Sequence, residues 1–268
     1  TDGLFPFQIG GMQKHSSILI RCLADLGEHL TVVYPTVEKQ SQETVEQAFN
    51  HAHNLIFKPV AFVDTGRLPG HYVRANRAYS ALACKTMLPE LDTFDLIYAQ
   101  GFTGRSFLDL RAKGRLKVPV IVNLHGFEMF QPAANFKHRV ANTWLRREAA
   151  YSLLQADYVY SFGGKLTLLL EQLGIPRSRI LLQSNGIDDR WMAKAPSKNR
   201  EIRTFVFIGR NERRKGMKEL VVALHELVQQ HVPFNFHFIG DIDEADRLSY
   251  PNLTYHGIVR EPDKIMNM

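Results

Sequence analysis

The residues best suited to chemistry sit at the ends of short apolar runs. Gly10-Gly11 stands just before an apolar-periodic segment that starts near Met12. Successive backbone N–H groups at a helix N-terminus, free of side chains, bind phosphate and other anions. A glycine pair is equally an ordinary turn. His15 lies one turn into that segment, where it could reach a ligand in the loop or simply serve as a surface or capping residue. His125-Gly126-Phe127-Glu128 follows directly on the apolar run 118–124. Parallel sheets hold ligands outside the carboxyl ends of their strands, so His125 and Glu128 are candidates; the plainer alternative is a histidine bonded to backbone at a strand end. Asn185-Gly186-Ile187-Asp188 ends another run with a strong turn signal. The richest stretch is Ile208-Gly209-Arg210-Asn211-Glu212-Arg213-Arg214-Lys215-Gly216, which brings Arg210, Arg213, Arg214 and Lys215 to a strand–helix junction. Arginine offers a planar fork and lysine a compact point charge, a pair suited to a pyrophosphate. Cations at a helix N-terminus are unfavourable unless an anion relieves them, which weighs against a merely solvated charge run. Ile239-Gly240-Asp241 and Tyr255-His256-Gly257-Ile258 close two further runs. The sequence has no Cys/His metal spacing, no Gly-x-Ser-x-Gly elbow and no Walker Lys-Ser/Thr pair, so proteases, serine hydrolases and P-loop kinases find no support.

The scaffold that positions these residues reads as α/β. Residues 12–27 carry Ile18, Leu19, Cys22, Leu23 and Leu26 at the spacing of one helix face, with Gly27 as the stop. Runs 30–34, 95–99, 118–124, 158–161 and 180–183 read as strands, and 77–88, 136–154 and 165–173 as helices. Strands apolar on both faces and separated by helices predict a mainly parallel sheet covered on both sides. The polar, proline-containing stretch 195–200 reads as linker. A strand at 204–208, a helix at 215–230 and strands at 234–239 and 253–256 form a second unit of the same style. The expected organisation is a domain at 1–190, a linker at 191–203 and a partial domain at 204–268. A strand before the glycine loop and the rest of the second sheet are expected to be missing from the chain.

With 268 residues, 45 % hydrophobic, and 33 Lys+Arg against 27 Asp+Glu, the chain is an ordinary folded protein of net charge +6, not a collagen-like or disordered one. It has no apolar run of the roughly 20 residues a bilayer span needs, and Thr1-Asp2-Gly3 does not open a signal peptide. Cys22 and Cys84 both fall in apolar helical patterns; two buried thiols fit a reducing, cytoplasmic setting. Two basic clusters, Arg105, Arg111, Lys113, Arg115 and Lys117, then Lys137, His138, Arg139, Arg146 and Arg147, are solvated helix faces or contacts for phosphorylated substrates or an anionic membrane. The features of a nucleic-acid module are missing, so no nucleic-acid partner is expected. In 136–154, Phe136, Val140, Trp144 and Leu145 fall on or near one face. Core packing is expected for Phe136 and Val140, leaving the basic residues for peripheral contact with anionic lipid.

Taken together, Phe5-Pro6 with Gly10-Gly11-Met12-Gln13-Lys14-His15, then His125-Gly126-Phe127-Glu128, Ser184-Asn185-Gly186-Ile187-Asp188, Gly209-Arg210 with Lys215-Gly216, Ile239-Gly240-Asp241 and His256-Gly257, resemble the family 4 retaining glycosyltransferases of GT-B fold. The resemblance implies two Rossmann-like domains facing a cleft, the second incomplete in this chain. It implies transfer of a sugar from a nucleotide diphosphate sugar to an acceptor hydroxyl with retention, using neither metal nor cofactor. The acceptor would be a glycan or lipid-linked, in cell-surface glycan or glycolipid biosynthesis. By the same resemblance, His125, Arg210 and Lys215 form the catalytic set: Arg210 and Lys215 hold the donor diphosphate and His125 sits beside the transferring sugar. Gly10 and Gly11 close on the diphosphate, Gly257 and Ile258 touch the base through backbone, and His15, Glu128, Asn185, Gly209 and Gly240 line the substrate site. The departing phosphate oxygen would help deprotonate the acceptor, so no protein nucleophile is needed. The family's Glu-x7-Glu element would fall after Met268. The alternatives are a nucleotide-sugar epimerase of the same fold and a degenerate nucleotide-sugar binding protein.

Overall fold

The structure, a computed structural model, describes residues 1–8, 10–36, 41–66, 70–133, 136–187, 191–192, 203–209, 211–212, 215–259 and 261–266. Arg210, Arg213, Arg214, Asp188 and most of the expected linker lie outside the described residues. The chain divides into two compact units, Thr1–Gly186 and Ile187–Met268.

The first unit runs α1 (Gly11–Asp25), β1 (Leu30–Thr36), α2 (Gln42–Ala48), β2 (Leu55–Ala61), α3 (His71–Met87), β3 (Ile97–Gln100), α4 (Arg105–Ala112), β4 (Val120–Asn123), α5 (Phe136–Gln155), β5 (Tyr158–Ser161), α6 (Lys165–Gln172) and β6 (Ile180–Leu182). Strands β1-β2 form one parallel sheet and β3-β4-β5-β6 another. Parallel neighbours cannot be joined by a tight turn, so helices carry each crossover and cover the faces. β4 is buried at all four positions. Around it Leu108, Leu116, Val120, Val122, Ala149, Leu153, Val159 and Leu170 form the main core, while Leu4, Ile20, Val32, Val45 and Phe57 form a second beside β1-β2. Thr1 ties the two sheets together: its backbone nitrogen donates to the Val33 carbonyl (3.0 Å) and its hydroxyl to Gln100 Oε1 (2.9 Å).

Several expectations need correction. α1 buries Ser16, Ser17 and Ile20, not the face through Cys22 and Leu26. Its inner side is polar yet satisfied, because Ser17 Oγ accepts from the Phe5 amide and donates to the Phe5 carbonyl, both at 3.0 Å. Cys22 is therefore exposed, and only Cys84 is buried. α5 packs through Glu148, Ala149, Ser152 and Leu153 in its second half. Phe136, Val140 and Trp144 stand 77 %, 43 % and 51 % exposed, so Phe136 and Val140 are not core residues. Arg105 and Arg111 are not free for polyanions either. Arg111 pairs with Asp157 (2.7 Å) and Arg105 with Asp109 and Glu148 (both 3.1 Å). The periodicity argument passed over α2, β2 and α4. β2 carries Lys58-Pro59 in mid-strand, and α4 reads as a charge run although Phe107 and Leu108 are buried.

The second unit holds β7 (Arg203–Ile208), α7 (Met217–Gln229), β8 (Phe234–Ile239), β9 (Leu253–Tyr255) and α8 (Pro262–Met266), with a parallel sheet in the order β7-β8-β9. Met217, Leu224, Phe234, Phe236, Phe238, Ile242 and Leu253 fill its core.

Glu148 is the polar centre of the first unit. It is 2 % exposed and accepts from Arg77 (2.5 Å) and Arg105 (3.1 Å), whose guanidinium lies 3.5 Å over the Tyr151 ring. α3, α4 and α5 thus meet on one carboxylate. Removing it leaves the partly buried Arg105 without its main anion, so Glu148→Ala should lower the unfolding free energy by about 3 kcal/mol. Arg77→Ala, at the more exposed guanidinium, should cost less than about 1 kcal/mol. Urea denaturation of both variants checks the ranking; equal costs would refute it.

Candidate functional site

At the carboxyl end of β4 the chain reverses within three residues. Asn123 Oδ1 accepts the His125 amide (3.0 Å), the Gly126 amide bonds the Leu124 carbonyl (2.6 Å), and His125 takes a left-handed φ of 57°. That conformation is uncommon for a side-chain-bearing residue and costs of order 1 kcal/mol. It turns the imidazole onto His15 of α1, ring centroids 4.6 Å apart in an edge contact, with Phe162 at 5.8 Å on another side. Nε2 of His125 is buried and has no hydrogen-bond partner among the described residues. Burial, then the neighbouring His15, lower the His125 pKa to about 4, and burial lowers that of His15. Both rings are set to remain neutral at pH 7. Just beyond, Gly126 makes room for Glu128: a Cβ at Gly126 would stand 2.4 Å from a Glu128 carboxylate oxygen.

α1 begins on Gly10 with no side-chain cap and no acidic residue in its first turn, so its leading amides are unneutralised dipole ends. Space is open above Gly11, while Gln13 Oε1 lies against Gly10. The Gln13 amide donates to Asp2 (3.1 Å), a residue not singled out by the sequence. Burial raises the Asp2 carboxyl to about 6, and its Oδ1 has no partner among the described residues. Tyr72, at the start of α3, joins the group; its hydroxyl pKa is raised by burial, then by the charges of Asp2 and Glu128. The fold thus gathers Gly10, His15, His125 and Glu128 and adds Asp2, Gln13 and Tyr72. Neither Asp2, eight residues ahead of Gly10, nor Tyr72, which arrives from a distant helix, carries a local sequence signal. Asn185 is exposed three residues past β6 and makes no described contact with the group. Two strand spacings separate β6 from β4, about 10 Å.

In the second unit three candidates converge. The Gly209 amide donates to the Ile239 carbonyl (3.0 Å) and the Gly240 amide to the Gly257 carbonyl (2.8 Å), so the carboxyl ends of β7, β8 and β9 touch. Gly240 must be glycine: its φ is 140°, and a Cβ would lie 1.9 Å from the Gly209 carbonyl oxygen. Ile258 follows, 66 % exposed. Lys215 is exposed one residue before Gly216, the uncapped left-handed start of α7. Bare backbone at the strand ends, open helix amides and a cation suit an anionic ligand. Among the described residues no group of three or more His, Cys, Asp or Glu is placed to hold a metal ion.

Residues 9–191 match the model of Glycosyltransferase Family 4. The chain belongs to this family. No curated protein sequence matches it. Solved structures share its fold at low identity. The E. coli trehalose-6-phosphate structure bound with UDP-2-fluoro glucose has a TM-score of 0.62 at 14 % identity, covering 99 % of this chain and 74 % of its own. The lipopolysaccharide outer core galactosyltransferase WaaB in its apo form has 0.60 at 12 %, covering 99 % and 69 %. Anabaena Alr3699/HepE in complex with UDP and glucose has 0.54 at 15 %, covering 94 % and 67 %. This family 4 chain therefore spans about two thirds to three quarters of the length of those three proteins. The α/β, parallel-sheet architecture expected of a GT-B protein is the one observed in both units.

Because the folded His125 resists protonation, its contribution to stability is present above pH 6.5 and is lost as pH falls towards 4. Histidine NMR signals should show the His125 ring neutral until about pH 4. His125→Gln should make the unfolding free energy fall less between those limits than in wild type. A His125 midpoint near 6.5 would contradict the packing described.

Proposed function

We propose that this family 4 chain transfers a sugar from a nucleotide diphosphate sugar to an acceptor hydroxyl, with retention and without a metal. The observation that carries this reading is the backbone junction of Gly209, Gly240 and Gly257 at the carboxyl ends of β7, β8 and β9, with exposed Lys215 ahead of the uncapped start of α7 in the same unit. Arg210 and Lys215 offset the charge that develops on the leaving diphosphate. His125, neutral and with Nε2 unsatisfied, takes a hydroxyl of the transferring sugar, and the Gly10-Gly11 amides and His15 border it. Glu128 and Asn185 line the substrate site, and Gly257 and Ile258 meet the base. The departing phosphate oxygen receives the acceptor proton, so the protein supplies position and charge, not a nucleophile. The protein works in the cytoplasm on a glycan or lipid-linked acceptor.

Lys215→Ala and Arg210→Ala should each raise the donor KM at least about tenfold, the cost of one charge-assisted contact, with little change in stability. Unchanged kinetics in both with UDP-, GDP- and ADP-sugars would overturn the assignment. Turnover of donor without any acceptor would favour an epimerase, and binding without turnover a degenerate binding protein.

A membrane-borne acceptor is favoured by one observation. Phe136, Val140 and Trp144 form an exposed row at i, i+4 and i+8 on α5, with Arg139 and Arg147 exposed on the same helix. Such a helix can lie in a lipid interface, each nearby cation adding about 1 kcal/mol on an anionic surface. Among the described residues no helix is long and apolar enough to cross a membrane. The chain should sediment with phosphatidylserine-containing vesicles at low salt, less at high salt, and less after Phe136→Ser with Trp144→Ser. No binding at low salt, or binding indifferent to anionic lipid, would refute this contact.

A further inference from the structure

His125 is held in an unfavourable backbone conformation, and something must hold it there. The Asn123 side chain is the group in contact. Asn123 is the last residue of β4, 3 % exposed and in register with Gln100 of β3. Its Oδ1 accepts the His125 amide at 3.0 Å, the local turn that asparagine forms with the residue two positions on. Its Nδ2 donates to the Tyr98 hydroxyl at 2.9 Å, and the Tyr98 ring stands edge-on to Tyr160 of β5, centroids 5.5 Å apart. The amide can therefore neither rotate nor flip without losing a partner. We propose that Asn123, oriented by Tyr98, is the positioning residue that fixes the left-handed turn at His125 and thereby aims its imidazole at His15 and the substrate site.

The same device occurs one strand away. At the end of β5, Ser161 Oγ accepts the Gly163 amide at 3.1 Å, again two residues on, and Ser161 is in turn fixed by Thr167 Oγ1 at 2.7 Å. This turn sets Phe162, the residue that flanks the His125 ring. A serine hydroxyl can thus replace the asparagine carbonyl as the acceptor, which makes Asn123→Ser the conservative variant. Without the acceptor, the His125 backbone relaxes towards negative φ and the ring leaves its buried seat. Among the described residues, the titratable group in contact with that ring is His15 on α1, and Glu128 lies against Gly126 in the following turn.

The proposal rests on the functional reading only in its last assay. In the free chain, Asn123→Ala should raise the His125 NMR titration midpoint from about 4 towards 6.5 and abolish its contact with His15, read as the loss of nuclear Overhauser effects between the two rings. Asn123→Ser should retain both near wild type, and Tyr98→Phe, a milder change, should move the midpoint the same way as Asn123→Ala by less. A general loss of stability would leave the midpoint of the folded form unmoved. If Asn123→Ala does not fold, Tyr98→Phe decides. A midpoint unchanged in every folded variant, or Asn123→Ser shifted as far as Asn123→Ala, overturns the proposal. In a transfer assay Asn123→Ala should lose at least tenfold in kcat/KM for donor, recovered by Asn123→Ser. Intact NMR effects with no transfer in wild type would overturn the functional reading alone.

Discussion

Among the described residues every strand runs parallel to its neighbours, and most of the site follows from that constraint. Parallel strands force crossovers, mostly helical here, so the carboxyl ends of the strands and the N-termini of the helices that follow them collect along one edge of each sheet. Backbone amides there have no intrahelical acceptor, and the helix dipoles add positive potential. Gly10 before α1, Gly164 before α6 and Gly216 before α7 all start helices without a side-chain cap. The sheet edge therefore presents bare, electropositive backbone before any particular side chain is considered. An anionic donor fits that background, and specific residues refine it.

Packing decides which polar groups stay available. Much of the first unit's basic character is spent internally: Arg77 and Arg105 on Glu148, Arg111 on Asp157, Arg146 on the Met129 carbonyl and Arg179 on carbonyls at the end of α5. These pairs clamp helices to one another and take those cations out of the surface potential. Near the glycine loop the balance is reversed. Asp2 and His125 each keep a buried polar atom without a partner among the described residues. A buried orphan costs about 1–3 kcal/mol, a cost that a bound hydroxyl can offset. Burial holds His125 neutral at pH 7, which suits it to hydrogen-bond recognition, and raises Asp2 to about 6, where it is still mostly ionised at pH 7.

The sequence by itself determined the α/β class, the strands that end in His125, Gly209, Gly240 and Gly257, and the position of the cation-rich loop, because these depend on local periodicity and on glycines at strand ends. It could not determine which side of an amphipathic helix faces inward when that side is polar. α1 buries two serines, Ser17 bonded to Phe5 in the preceding loop and Ser16 to Gln100 of β3, and α5 buries a glutamate whose partners lie on α3 and α4. Hydropathy alone therefore turned both helices the wrong way, and Cys22, Phe136 and Val140 followed. Only the tertiary structure brought His15 onto His125, Tyr72 within the influence of the Asp2 and Glu128 charges, and Gly209 against Gly240. Those contacts join segments up to more than a hundred residues apart, and their geometry depends on strand register and on the left-handed turn held by Asn123. One-dimensional spacing contains neither.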